Sequence, residues 1–263
     1  MNSSPLNYYT LSQKVAKHGR FSLFYGNNFP EKISICFFDS GIGGLSILNH
    51  FIRQNPWIHL QKNFEIHYCA DNEYFPYGDL PSDLVIERTM FWIKEMEKFN
   101  PKIFVIACNT ATVTSIKFLR EKFPQYLFVG IEPYIKFPYL DQYEKIMALV
   151  TPQTYKSQRV KELKQLHDPL DKIIITPMPE LAKIITEHFT SKSPDINNFY
   201  NLLQDQFLPI VNSKPQLLIL GCTHYILIED IFHNFFSIPI ITPNQAITNR
   251  IFSLINSLKA FTC

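Results

Sequence analysis

Glycine is scarce in this chain, 8 in 263 residues, less than half the usual share of roughly 7%. The five cysteines are odd in number and form no CxxC pair, which argues against a disulfide framework or a cysteine zinc site and for reduced thiols acting singly. No stretch approaches the roughly 18 consecutive apolar residues of a membrane-spanning helix. The opening "MNSSPLNYYTLSQKVAKHG" has no apolar run resembling a signal peptide, so a cytoplasmic protein without membrane contact is expected. Charged residues make up 18%, the formal net charge is +2, and no basic block is interleaved with aromatics. Nothing therefore points to nucleic acid.

Hydrophobic residues reach 46%, enough for a sizeable core, and the length suits one large domain or two smaller ones. After about 30 residues rich in Asn, Ser and Tyr, short apolar runs alternate with stretches of helical period. "ISICFF", "FEIHYC", "KIFVIA", "YLFVG", "IMALV", "KIIIT", "QLLILG" and "IPIIT" read as strands. Residues 82–99 read as a helix with Val85, Thr89, Trp92, Ile93, Met96 and Phe99 on one face. The pattern predicts an α/β fold with buried, mostly parallel strands flanked by helices. Residues 130–145, rich in Pro and Tyr and without period, are the expected crossover between lobes.

The turn in "FFDSGIGGLSIL", residues 37–48, resembles a phosphate cradle but fits one badly. A dinucleotide fingerprint needs a glycine where Ser46 stands, a P-loop needs an absent Lys-Ser/Thr pair, and Asp39 puts a carboxylate where phosphate would sit. Five of the eight glycines (Gly41, Gly43, Gly44, Gly78, Gly221) nevertheless fall in this turn and two other candidate site segments. Close approach of a ligand or a turn with positive φ would explain them.

"KIFVIACNTAT" and "QLLILGCTHYI" form a quasi-repeat: an apolar strand, a small residue, a cysteine, then polar residues opening a helix. Ligands of parallel α/β sheets bind beyond the carboxyl ends of the strands. Cys108 and Cys222 are expected there, as are Asp39 and Ser40. A helix N-terminus favours a thiolate, so their pKa values are expected somewhat below the ordinary value of roughly 8.5. Cys36 and Cys69, inside strands, read as core filling, and Cys263 as a loose tail. Two thiols at equivalent points of two lobes would approach one carbon from opposite faces. That geometry suits racemisation by two bases, whereas a single Cys-His pair would suggest a hydrolase. Asp39 and His224 are read as tuning the thiols, or more simply as capping a turn and a helix. Ser40, Asn109, Thr110 and Thr223, with the exposed backbone of the glycine turn and Gly78, suit a small carboxylic acid. "ADNEYFPYGDL" reads as a post-strand loop whose Tyr77-Gly78 closes over the ligand, or as an ordinary turn.

The segments "FFDSGIGGLSIL", "ADNEYFPYG", "IACNTAT", "GIEP", "TPQTYKS" and "LGCTHY" resemble, in order, those of the glutamate racemase family within the cofactor-independent aspartate/glutamate racemases. The resemblance covers about residues 35–255. It implies two Rossmann-like lobes with the active site between them, the first lobe spanning 33–132 plus 244–263, the second 133–243, and 1–32 forming an N-terminal extension. It further implies that Cys108 takes the proton from D-glutamate and Cys222 from L-glutamate, with no metal or cofactor. Asp39, Ser40, Tyr77, Gly78, Asn109, Thr110, Thr223 and His224 fall at the family's substrate-binding or thiol-assisting positions, and Thr154 at a pocket-lining one. The implied role is D-glutamate supply for peptidoglycan, hence cell wall and cell shape, by a homodimer that a cell-wall precursor regulates through the extension. The chain departs from the pattern at Thr176, where a cysteine is usual, at Ile184, where an acid is usual and Glu187 is the nearest substitute, and at Thr242, where an Asp is common. An aspartate racemase, a thiol hydrolase and a non-catalytic glutamate-binding regulator are the rival readings.

Overall fold

The computed structural model describes residues 7–26, 29, 31–54, 56–136 and 138–258. All eight apolar runs become strands; the central ones, over "ISICFF", "IFVI", "IMALV" and "LLIL", bury side chains on both sheet faces and have no polar side to leave in water, whereas "KIIIT" leaves Ile174 exposed and "IPIIT" is half-buried at a sheet edge. The first sheet contains β1 (Arg20–Tyr25), β2 (Lys32–Asp39), β3 (Asn63–Ala70), β4 (Ile103–Ile106) and β5 (Leu127–Gly130), in the order β1-β3-β2-β4-β5. The second contains β6 (Ile146–Val150), β7 (Ile173–Pro177), β8 (Leu217–Leu220) and β9 (Ile240–Ile241), in the order β7-β6-β8-β9. Every pairing is parallel except β1 with β3.

The helices are α1 (Tyr8–His18), α2 (Leu45–Arg53), α3 (Pro56–Leu60), α4 (Ser82–Met96), α5 (Asn109–Lys122), α6 (Pro152–Lys156), α7 (Gln158–His167), α8 (Leu181–Thr190), α9 (Ile196–Ser213), α10 (Thr223–Ile226), α11 (Glu229–Phe236) and α12 (Asn244–Leu258). The expected 82–99 helix is α4 followed by one tighter turn over Glu97–Phe99. It buries Val85, Thr89, Ile93 and Met96, the stripe that three- and four-residue steps dictate. Residues 131–145 carry the chain from β5 to β6. After β9 the chain returns to the first sheet, where α12 packs on α2 with Phe252 and Phe51 ring centres 5.8 Å apart.

The N-terminal segment is folded onto the first sheet. Set apart as an extension, its residues 8–25 instead form α1 and β1, and β1 is the antiparallel edge of the first sheet. "RFSLFY" alternates between buried and exposed positions rather than forming a continuous apolar run, so it lacks the signature by which the other strands were found. Gly19, with φ of 64°, makes the turn between α1 and β1. Tyr9 Oη and Gln13 Nε2 donate to the Ser191 carbonyl beyond α8 at 2.5 and 3.3 Å, so α1 spans from the first sheet to the second lobe. Cys263 lies outside the described residues.

Candidate active site

In the first sheet β2 has β3 on one side and β4 on the other; in the second, β6 lies between β7 and β8. Such reversals of strand order open a crevice at the carboxyl ends of the strands they separate. Asp39 ends β2 and Cys108 lies two residues beyond β4. Thr151 directly follows β6 and Cys222 lies two residues beyond β8. Both switch points therefore deliver their polar residues and thiols to one place between the lobes.

Cys108 is the N-cap of α5, its Sγ accepting from the Ala111 N–H at 3.5 Å and standing 3.7 Å from Ser40 Oγ. Cys222 is the N-cap of α10; burial and, less so, charge on Cys108 raise its pKa. Each is 5% exposed. Here the expectation of lowered thiol pKa values is overturned. Burial, followed by the Asp39 charge, pushes Cys108 up to about 12 against the opposing Ala111 and Ser40 hydrogen bonds. Burial also pushes Cys222 up, against the N–H groups of His224 and Tyr225. Helix-start donors are present at both thiols, but desolvation outweighs them. Cys36 and Cys69 are buried in the first sheet, as core filling requires.

The glycine turn is shaped by the second lobe. None of Gly41, Gly43, Gly44, Gly78 and Gly221 has positive φ, so close approach is what they provide. A Cβ on Gly43 would lie 2.6 Å from Thr223 Oγ1 and 2.7 Å from the His224 backbone nitrogen, and would also meet His224 Nδ1. One on Gly78 would lie 2.7 Å from Thr151 Cβ. Bare backbone at these points lets the start of α10 and the Thr151 turn close against the first lobe.

Polar contacts cross this seam, among them Thr223 Oγ1 to Asp39, the Gly43 N–H to His224 and Ser46 Oγ to the Thr223 carbonyl. Asp39 Oδ1 accepts from the Gly41 N–H at 2.7 Å, and its Oδ2 accepts from Thr223 Oγ1 at 3.0 Å. Burial raises the Asp39 carboxyl to about 7 despite these bonds. The Gly43 N–H donates to His224 Nε2 at 3.2 Å, which puts the imidazole proton on Nδ1. Burial lowers His224 to about 3, so the ring is neutral. Each lobe thus anchors a buried titratable group of the other.

Around this centre lie the remaining predicted residues. Thr110 Oγ1 is 2.9 Å from Thr151 Oγ1 and 3.3 Å from Thr154 Oγ1, and Thr151 Oγ1 is 2.9 Å from Thr154 Oγ1. Asn109, adjacent to Cys108, is buried, and neither its amide oxygen nor its nitrogen has a protein partner. Tyr77 is fully buried, but its hydroxyl donates to Asp71 Oδ2 at 2.7 Å, so its side chain is committed within the first lobe. Thr151 was missed. Its signal was available: a threonine directly after a central strand and before Pro152, the N-cap and first turn of α6.

The departures from the family pattern are also placed. Thr176 lies within β7, and Thr242 directly after β9. Ile184 packs against the main core. Glu187 is exposed and lines a cleft between α8 and α9 with Asn198 and Leu202, so it does not stand in for the acid absent at position 184. On the same helix, Lys183 reaches the first lobe, 2.8 Å from Asp79.

Two parallel α/β lobes closing on a pair of buried thiols are the arrangement of the aspartate/glutamate racemase fold. A glutamate racemase from Aliarcobacter butzleri is 33% identical over 228 residues, 82% of this chain and 82% of that protein. One from Clostridium novyi is 32% identical over 200 residues, 76% of this chain and 73% of that protein. The chain belongs to the glutamate racemase family. No family model matches it. The crystal structure of Escherichia coli glutamate racemase in complex with L-glutamate and the activator UDP-MurNAc-Ala aligns with TM-score 0.75 at 26% identity, covering 86% of this chain and 83% of that one.

Proposed function

We propose that this protein interconverts L- and D-glutamate by a two-base mechanism, and that it supplies D-glutamate for peptidoglycan. The observation that carries the reading is the pair of thiols at the N-caps of α5 and α10, beyond the central strands of two lobes. One thiolate takes the α-proton while the thiol on the opposite face gives its proton to the resulting carbanion, so one S–H bond forms as the other breaks. Cys108 takes the proton from D-glutamate and Cys222 from L-glutamate. Ala111 and Ser40 donate toward Cys108, and the His224 and Tyr225 N–H groups toward Cys222. These donors support each thiolate as it forms. Asp39, poised near 7, and neutral His224 assist the two thiols. Ser40, Gly78, Asn109, Thr110, Thr154 and Thr223, with Asp39 and His224, hold the substrate, and Tyr77 does so through its backbone, its hydroxyl being taken by Asp71. The unpartnered Asn109 amide and the cluster of threonine hydroxyls support that assignment.

Incubation with L-glutamate in D₂O tests the reading. Loss of optical activity with deuterium entering at Cα is expected. Glutamate binding without α-proton exchange would overturn it in favour of a binding protein, and faster turnover of aspartate in favour of an aspartate racemase.

The lobes are taken as 33–132 plus 244–263 and 133–243, with residues 8–25 added to the first. Among the described residues no helix is long and apolar enough to cross a membrane, which supports a cytoplasmic setting. A homodimer is proposed, with the exposed Leu166 and Leu170 at 72% and 71% as apolar surface for it; sedimentation equilibrium reads this directly. An anionic cell-wall precursor is proposed as regulator. A cavity of about 330 Å³ at the two interlobe connections is lined by Arg120, Lys136, Arg159 and Arg250 against Glu132, which suits an anion.

A further inference from the structure

Asp71 has no part in the site as assigned so far, yet it is a carboxylate only 1% exposed with every strong partner in place. Arg88 of α4 grips it through both oxygens, Nε to Oδ2 at 2.8 Å and Nη2 to Oδ1 at 2.9 Å. Tyr77 Oη donates to Oδ2 at 2.7 Å. The guanidinium lies over the Tyr74 ring at 4.0 Å and the Phe91 ring at 4.8 Å. Burying a carboxylate is costly unless it is paired and hydrogen-bonded. A bidentate fork fixes orientation as well as charge.

The segment fixed by this pair touches the second lobe. Gly78 seats against Thr151, Asp79 pairs with Lys183 at 2.8 Å, and Gln153 Nε2 donates to Ser82 Oγ at 2.6 Å. Thr151 in turn contacts Thr110, two residues from Cys108. We propose that Asp71 and Arg88 are positioning residues for the reaction: their ion pair, acting through the Tyr77 hydroxyl, sets where the Gly78 backbone meets the substrate and the second lobe. The proposal rests on the reading that Gly78 lies in the glutamate site.

Tyr77→Phe removes one hydroxyl and leaves both the ion pair and the ring packing against Phe38. Arg88→Lys keeps the charge and loses the fork. Both variants, with Glu95→Gln at the exposed Lys98–Glu95 pair as control, are compared with wild type for KM, kcat and thermal midpoint. Loss of one oriented, charge-assisted contact predicts KM for glutamate raised about tenfold in Tyr77→Phe, with kcat changed much less. Arg88→Lys should show the same split, and Glu95→Gln should match wild type. Wild-type KM in both variants, with or without a lower thermal midpoint, would overturn the positioning role and leave a structural one. If wild-type protein itself fails to racemise glutamate, the underlying reading fails instead, and the two failures are distinct.

Discussion

Thr223 donates its hydroxyl to Asp39 at 3.0 Å across the seam between the lobes, so the acid at the end of the first lobe's central strand is held by the residue after the second lobe's thiol. Opening the lobes would break this bond and admit water to the carboxyl that burial holds near 7. Closure and the protonation of Asp39 are thereby coupled.

That coupling predicts a pH dependence of stability. Asp39 is raised from 3.8 to about 7 on folding, so the folded state favours its protonated form. Its contribution is fully present below pH 3.8 and lost as pH rises through about 7, a loss on the order of 4 kcal/mol at 1.36 kcal/mol per unit. Asp39→Asn, uncharged throughout, should flatten that part of the curve. Urea midpoints of both proteins between pH 4 and about 8 measure it; parallel curves would exclude Asp39 as the source.

Each direction of the reaction needs one thiolate and one thiol, so Cys108→Ser and Cys222→Ser should each abolish racemisation. Full activity in either would rule out the two-base mechanism. Cys36→Ala and Cys69→Ala should retain activity and lose roughly 1–3 kcal/mol of stability, as buried truncations do.

Gly43→Ala inserts a methyl where Thr223 Oγ1 and the His224 nitrogen would stand 2.6 and 2.7 Å away. The second lobe must shift, and a misplacement near 1 Å between reacting groups costs about a hundredfold in rate. Racemisation should fall by about that factor, and iodoacetamide should label Cys108 and Cys222 faster than in wild type, read by mass spectrometry of each peptide. Unchanged rate and labelling would show that the seam tolerates the methyl.

Phe21 of β1 is 6% exposed and stacks on Tyr68 at 5.4 Å, whereas Phe24 is 68% exposed. Phe21→Ala should cost roughly 3 kcal/mol in urea unfolding. Phe24→Ala should stay within about 0.5 kcal/mol. Equal small effects would mean that β1 adds little to the first sheet.

The sequence by itself determined the eight parallel strands, the amphipathic face of α4, and the delivery of Asp39 to the carboxyl end of a strand and of Cys108 and Cys222 to helix starts. These follow from local signals: continuous apolar runs bury both faces, the 3.6-residue period marks a core-facing stripe, and a polar residue after a strand caps the next helix. Tertiary structure alone decided the rest. The edge strand β1 depends on a partner that the chain meets only at residues 63–70. Gly41 and Gly43 serve the approach of α10, nearly two hundred residues away. The thiol pKa values are governed by desolvation, which requires both lobes to be in place, so a cap position read locally carried the wrong sign. Thr151 and the Asp71–Arg88 pair gain their significance only from what faces them across the fold.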